Sequence, residues 1–284
     1  MKVHKNLRVL KLSIEIKKVS LGIPFSIRGG LTMCTILVAY KAHNEYDLIL
    51  ASNRDEFYER PTKEAHYWQT HKGVLGGRDL KACGMWLGVH ESGRIGALTN
   101  FRDFRLPHGD KTTRGEIVLN YLTSKLDHTA YMNALVLNKD VYDPYNALLY
   151  DGDQLSYFNN ITSTYHLVEQ GVHGLSNRFL DTPWFKVRQG RAQLKSLIDE
   201  QNKINPDDLF SLLKRCDRAE DIELPDTGIG LKWERVLSSI FIKDEDYGTR
   251  YSTVVLVHKN GDIEFIERYY DHTKDSWKQH AFKV

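Results

Sequence analysis

Residues 33 to 61 read MCTILVAYKAHNEYDLILASNRDEFYERP. Thr35 to Tyr40 is rich in β-branched and aromatic residues, Asp47 to Ala51 is a second short apolar run, and the polar segment Lys41 to Tyr46 lies between them. This spacing predicts a β-hairpin. The second strand is expected to end at the polar cluster Ser52-Asn53-Arg54-Asp55-Glu56. Antiparallel pairing then returns that cluster to the start of the first strand, setting the Cys34 thiol against a carboxylate and a guanidinium.

Methionine is normally trimmed before a residue as small as cysteine, which would leave Cys34 with both a thiol and a free α-amine. Such an amine titrates near about 7.7 to 8.0, against about 10.4 for lysine, so it can accept a proton at physiological pH. Nucleophile and base then share one residue. The competing reading makes Cys34 a small buried hydrophobe at a strand start, as most free cysteines are.

Composition bounds the alternatives. The chain has 284 residues, 41% hydrophobic and 27% charged, which is ordinary for a globular protein with a sizeable core. No apolar run approaches the roughly 20 residues of a membrane-spanning helix, so no integral membrane segment is expected. Cys34, Cys83 and Cys216 are the only cysteines; three thiols so far apart suggest a reducing, cytoplasmic setting rather than a disulfide framework. The formal charge is +2, but residues 1 to 33 hold seven Lys and Arg against Glu15 alone. Subtracting that +6 leaves −4 for residues 34 to 284, so the basic balance is no nucleic-acid footprint.

Residues 1–32 are basic and acid-poor, with neither a signal-peptide core nor a cleavage site. A targeting presequence, a propeptide and upstream read-through compete, and the last is preferred, with Met33 as the start: codons for Arg28-Gly29-Gly30 would be purine-rich, like a bacterial ribosome-binding site. Residues 33–284 read as a single domain. Beyond the hairpin, the glycine-studded run from Val74 to Val89 suggests tight turns, and strands are expected at Trp86 to His90 and Arg94 to Thr99. Helices are expected over Thr113 to Leu126 and Ala130 to Leu137, and strands at Asn146 to Tyr150, Leu155 to Phe158 and Tyr165 to Glu169. Two further helices are read over Trp184 to Ile198 and from Pro206 to about Cys216. A polar loop is expected at Glu220 to Leu231, and closing strands at Ser238 to Ile242, Arg250 to His258 and Ile263 to Tyr269. The last two are joined through Asn260-Gly261. This order fits an α+β layered architecture with mostly antiparallel sheets.

The sequence contains no Walker-type loop, G-x-S-x-G elbow or His-Glu-x-x-His helix, and no cofactor is read. His66 and His71 flank Trp68 without a carboxylate partner, so no metal site is read either. An ordered set of motifs remains: Met33-Cys34-Thr35, Ser52-Asn53-Arg54-Asp55-Glu56-Phe57, Gly77-Arg78-Asp79, Trp86-Leu87-Gly88, Thr99-Asn100-Phe101-Arg102, Leu175-Ser176-Asn177 and Thr249-Arg250-Tyr251-Ser252-Thr253-Val254. Together they resemble the NRDE family, also called the transport and Golgi organisation family, over essentially all of Met33 to Val284.

That family is similar in turn, more distantly, to the N-terminal-nucleophile hydrolases that cleave bile-salt amides and penicillin V. The resemblance implies a four-layer αββα sandwich in which Cys34 is the nucleophile, Asp55 holds its α-amine, and Asn177 and Asn100 donate to the oxyanion. Arg54 and Arg250 would organise charge around them. The hydrolases carry Arg-Asn-x-Asp where this chain has Ser52-Asn53-Arg54-Asp55. Arg54 is therefore expected to replace the missing arginine only if the strand ends or bulges before Asp55. Cys83, where the family more often has glycine, reads as a tolerated small residue.

Two functions are implied. One is a hydrolase or acyltransferase for a non-peptide acyl amide or thioester. The other is a carrier or chaperone for an amphipathic ligand such as acyl-CoA, a lipid or haem, with Phe57, Tyr58, Tyr67, Trp68, Phe179, Trp184 and Phe185 as candidate pocket aromatics. The oligomeric state is left open by either reading.

Overall fold

The computed structural model describes residues 33–106, 109 and 111–284; the expectation for residues 1–32 lies outside them. β1 (Met33–Tyr40) and β2 (Tyr46–Phe57) form the predicted hairpin. β3 (Thr62–Tyr67), β4 (Val74–Asp79), β5 (Leu87–His90) and β6 (Ile95–Asn100) follow, then helices α1 (Gly115–Thr123) and α2 (His128–Leu137). Next come β7 (Tyr145–Tyr150), β8 (Leu155–Asn159), β9 (Thr164–Leu167) and β10 (Gly171–Leu175), then α3 (Phe185–Glu200), α4 (Pro206–Leu213) and α5 (Leu231–Leu237). β11 (Tyr247–His258), β12 (Ile263–Asp271) and β13 (Ser276–Lys283) close the chain.

The strands make two antiparallel sheets, one ordered β10-β1-β2-β11-β12-β13 and the other β3-β4-β5-β6-β7-β8-β9. Alternation along β1 explains the layering. Ile36, Val38 and Tyr40 enter the core between the sheets, while Leu37 and Ala39 meet Leu194, Ile198 and Leu209 of α3 and α4. On the far side, α1 and α2 cover the second sheet through Ile117, Val118, Tyr121 and Met132. The four layers are helices, sheet, sheet, helices, as expected. Among the described residues no helix is long and apolar enough to cross a membrane.

Close packing of α3 against β1 depends on Gly190, where a Cβ would lie 2.7 Å from both methyl carbons of Leu37. Helix α4 begins as its sequence suggests: Pro206 occupies the first turn, and the Asn205 side chain accepts from the Asp207 N–H at 3.1 Å, relieving an otherwise unpaired donor.

Several boundaries differ from expectation. Ser52 to Glu56 lies inside β2 rather than beyond it, because β2 is buried on both faces and its polar residues find partners there. The glycine run is not only turns: Gly76 and Gly77 belong to β4. A Cβ on Gly76 would approach the Leu87 carbonyl oxygen to 2.7 Å, and one on Gly77 would strike the Trp86 indole, so glycine serves close approach there. Ser238 to Ile242 is not a strand but an irregular segment, closed where Thr249 N–H donates to the Ile242 carbonyl at 2.8 Å. Strands β3, β10 and β13 and helix α5 have no counterpart among the elements expected from the sequence.

Candidate functional site

The hairpin register fixes the site. Met33 pairs with Asp55, Cys34 with Arg54, Thr35 with Asn53 and Ile36 with Ser52. Cross-strand partners share a face, so Cys34 and Arg54 lie on the inter-sheet face with Ile36, while Asp55 lies on the helix face with Leu37 and Ala51. This corrects the requirement that β2 end or bulge before Asp55. β2 runs on to Phe57 without a bulge against β1, and Arg54 lies directly opposite Cys34. The irregularity is on the other neighbour, where β11 skips Arg250 between Thr249, opposite Asp55, and Tyr251, opposite Arg54.

Burial dominates the electrostatics. Cys34 is 3% exposed, and burial foremost, then the Asp55 carboxylate, pushes its thiol up to about 12 while Arg54 and Lys186 pull it down. Burial raises the Asp55 carboxyl to about 6 against Lys186, the Thr249 hydrogen bond and Arg54. Thr249 Oγ1 donates to Asp55 Oδ1 at 2.5 Å, but Oδ2 has no donor among the described residues. Lys186, in the first turn of α3, is fully buried with no acceptor for its Nζ among the described residues. Burial brings it down to about 8, with Asp55 opposing. At neutral pH the site thus holds a charged carboxylate and a charged ammonium, both short of hydrogen-bond partners.

Arg54 packs its guanidinium over the Trp86 ring at 4.4 Å and pairs with Glu56 at 3.3 Å and Asp79 at 3.5 Å. Its Nη1 has no acceptor among the described residues. Asn100 and Asn177 come together: Asn177 Nδ2 donates to the Asn100 carbonyl at 2.9 Å. Ser176 Oγ lies 3.3 Å from the Cys34 carbonyl and 3.1 Å from Asn177 Oδ1. Asn177 keeps one amide N–H for another acceptor, and the Asn100 Nδ2 has none among the described residues.

Arg250 is placed elsewhere. Its Nη1 donates to the Arg60 carbonyl and reaches the Phe57 carbonyl and Thr62 Oγ1, tying down the β2–β3 connection. Asn53 is also a tie, donating to the Leu213 and Ile240 carbonyls at 2.8 and 2.9 Å and accepting from Ser252 at 2.6 Å. The candidate pocket aromatics do not converge. Tyr58 stacks on His272, Trp68 joins the core under α1, Phe179 packs on Phe101, and Trp184 lies under Arg102.

Sequence reading missed Lys186 and Arg114. Each sits at a helix start far along the chain from Cys34, with no local motif to mark it. Thr249 was visible in its motif, but its bond to Asp55 depends on the β2–β11 register.

Residues 33–272 match the family model described as Transport and Golgi organisation 2. The mouse Transport and Golgi organization 2 homolog is 32% identical over 272 residues, covering 88% of this chain and 98% of the relative. The human homolog is 32% identical over 256 residues, covering 83% and 92%. The αββα sandwich described above is thus that of a chain belonging to the Transport and Golgi organisation 2 family. Among solved structures, penicillin V acylase from Agrobacterium tumefaciens aligns over 88% of this chain and 86% of its own, with a TM-score of 0.49 and 13% identity.

Proposed function

We propose that this protein is an N-terminal-cysteine hydrolase or acyltransferase for a non-peptide acyl amide or thioester, active once Cys34 carries a free α-amine. The observation that carries this reading is the Asp55 Oδ2, buried without a donor among the described residues and one register position from Cys34. With Met33 attached, the Cys34 nitrogen is an amide and no base. A thiol near 12 is then ionised in only about one molecule in 10^5 at pH 7. Removing the residues before Cys34 places an amine beside Asp55, where the carboxylate orients it and Lys186 disfavours its protonation.

In the forward step the amine takes the thiol proton, sulfur attacks the carbonyl carbon, and the carbonyl electron pair moves onto oxygen. Asn100, and the remaining amide N–H of Asn177, donate to that oxyanion. Collapse breaks the bond to the leaving amine or thiol, which takes the proton from the α-amine. Water then attacks the thioester, its proton passing through the amine back to sulfur, and the free acid departs.

Intact-mass analysis after incubation with acyl thioester donors tests this. Protein starting at Cys34 should gain one acyl mass, and Cys34→Ala should gain none. Undiminished acylation in a chain that retains Met33 refutes the amine as base. If wild type and Cys34→Ala retain intact acyl-CoA or haem equally, with no adduct, the carrier function replaces the enzyme.

A further inference from the structure

A cleft of about 80 Å3 opens beside Arg54, between the end of β6 and the start of α1. Two of its walls carry N–H groups with nothing to donate to. Arg54 and Asn100 are 2% and 6% exposed, and neither Arg54 Nη1 nor Asn100 Nδ2 has an acceptor among the described residues. A buried donor left unpaired costs about 1 to 3 kcal/mol, so two such donors on residues lining one small cleft point to an absent acceptor.

The charge balance says what kind. Arg54 and Arg60 share the carboxylates of Glu56 and Asp79, so these four charges offset. Arg114 adds a third guanidinium at the rim. It donates to the Pro144 carbonyl at 3.1 Å, and no carboxylate lies within ion-pair distance of it among the described residues. The N-terminus of α1, nine residues long, lines the same cleft at Gly115, its positive dipole end partly offset by Glu116 in the first turn. Water could take the Asn100 N–H but would leave Arg114, on which Asp143 and Glu56 act only from beyond ion-pair distance, without a direct counter-charge. A compact oxyanion answers both.

We propose that the cleft between Arg54, Asn100 and Arg114 is an anion site, and that the acyl compound handled at Cys34 bears a carboxylate or phosphate within short reach of its scissile carbonyl. The second half of this statement rests on the hydrolase reading; the first does not, and the two N–H groups of Asn100 Nδ2 let one serve this anion and the other the tetrahedral oxygen. Arg114 is then a specificity residue, selecting charged acyl groups over neutral ones of equal length.

The full chain carrying Cys34→Ala is titrated calorimetrically with inorganic phosphate and, separately, with malonate. Saturable binding of at least one is expected, weakened at least tenfold by adding Arg114→Leu. Arg114→Lys, which keeps the charge without the planar fork, should lose less and shows whether the leucine variant merely misfolds. Preference for malonate assigns a carboxylate, and preference for phosphate a phosphate. Binding of neither, or binding indifferent to Arg114→Leu, overturns the anion site. In the Cys34-initiated protein, succinyl and butyryl thioesters of N-acetylcysteamine are then compared, with a 3-phosphonopropionyl thioester in place of succinyl if phosphate is the anion bound. The charged ester should acylate Cys34 at least tenfold faster, and Arg114→Leu should bring the ratio near one. Equal rates overturn the substrate assignment while leaving the hydrolase standing. Acylation by neither ester counts against the hydrolase, and the Cys34→Ala titration still decides the anion site.

Discussion

Asp55→Asn should change the reactivity of Cys34 in opposite directions according to whether anything precedes the cysteine. In the full 284-residue chain, Asp55 is second only to burial in holding the thiol up at about 12. At pH 8 that leaves about one thiol in 10^4 ionised. A buried like charge nearby is worth about tenfold to a thousandfold in that fraction. Removing it should therefore speed alkylation by iodoacetamide at least about tenfold. In a chain that begins at Cys34, released for example from a ubiquitin fusion, the same substitution removes the carboxylate that holds the amine. Alkylation should then slow by about a hundredfold, the low end of what a positioned base supplies. Peptide mass spectrometry after timed labelling separates Cys34 from Cys83 and Cys216, which are exposed and serve as internal references. The same direction of change in both chains would refute the reasoning, since Asp55 would then act on the thiol alone and have no part in placing an amine.

Asp55 and Lys186 should be strongly non-additive. Lys186→Met leaves a buried carboxylate with one cation fewer, so adding Asp55→Asn should recover stability, with a coupling of about 0.5 to 3 kcal/mol in urea unfolding. The linkage has a definite sign. Asp55, raised to about 6, contributes stability below about pH 4 that is lost as pH rises through 6. Lys186, lowered to about 8, contributes above about pH 10 and loses that as pH falls through 8. Wild type should therefore be disadvantaged relative to the double variant between about pH 6 and 8. Asn53→Ala removes three buried hydrogen bonds and should cost about 1.5 to 4.5 kcal/mol. Gly77→Ala drives a methyl into Trp86, the ring under Arg54. It should cost about 1 to 3 kcal/mol and alter Cys34 labelling. Cys83 adopts φ 60°, so Cys83→Gly should raise stability by about 1 kcal/mol in thermal unfolding.

Local pattern was legible where it agreed with tertiary structure. The β1–β2 hairpin, the Asn260-Gly261 turn between β11 and β12, and helices α1 to α4 all carry their signals within a short window. The signal failed where burial and composition part company. β2 sits between β1 and β11 and is covered on both faces, so Ser52 to Glu56 can be strand while reading as a polar turn. β13 is an exposed edge strand with little apolar content, and its alternation is faint. α5 is only seven residues long and follows Gly228 and Gly230, both at positive φ, so breaker signals mask its start. Cys34 and Asp55 could be placed from the hairpin, but Lys186 and Arg114 reach the site only through sheet and helix packing. Arg250 is a charged residue whose motif alone does not disclose its contacts: its guanidinium holds carbonyls of the β2–β3 connection.

The distribution of satisfied polar groups bears on whether the site is catalytic or vestigial. In the second sheet, a fully buried cluster is closed: Tyr157 donates to Asn146 at 2.7 Å, Asn159 to the same oxygen at 2.7 Å, and Asn146 to Thr99 at 3.0 Å. This fold can therefore complete a buried polar network when structure alone is at stake. Around Cys34 it leaves Thr35 Oγ1, Arg54 Nη1, Asp55 Oδ2, Asn100 Nδ2 and Lys186 Nζ unpaired among the described residues. Six orphans occur elsewhere among the described residues, at Tyr58, Arg78, Arg102, Tyr145, Glu234 and Glu267, with Arg102 and Glu234 on one ion pair, but the five near the thiol combine acceptor and donor capacity. An amine answers Asp55, and an oxyanion with an attached charge answers Asn100 and Arg54. Groups kept unpaired at such cost suit the preorganised substrate site proposed above.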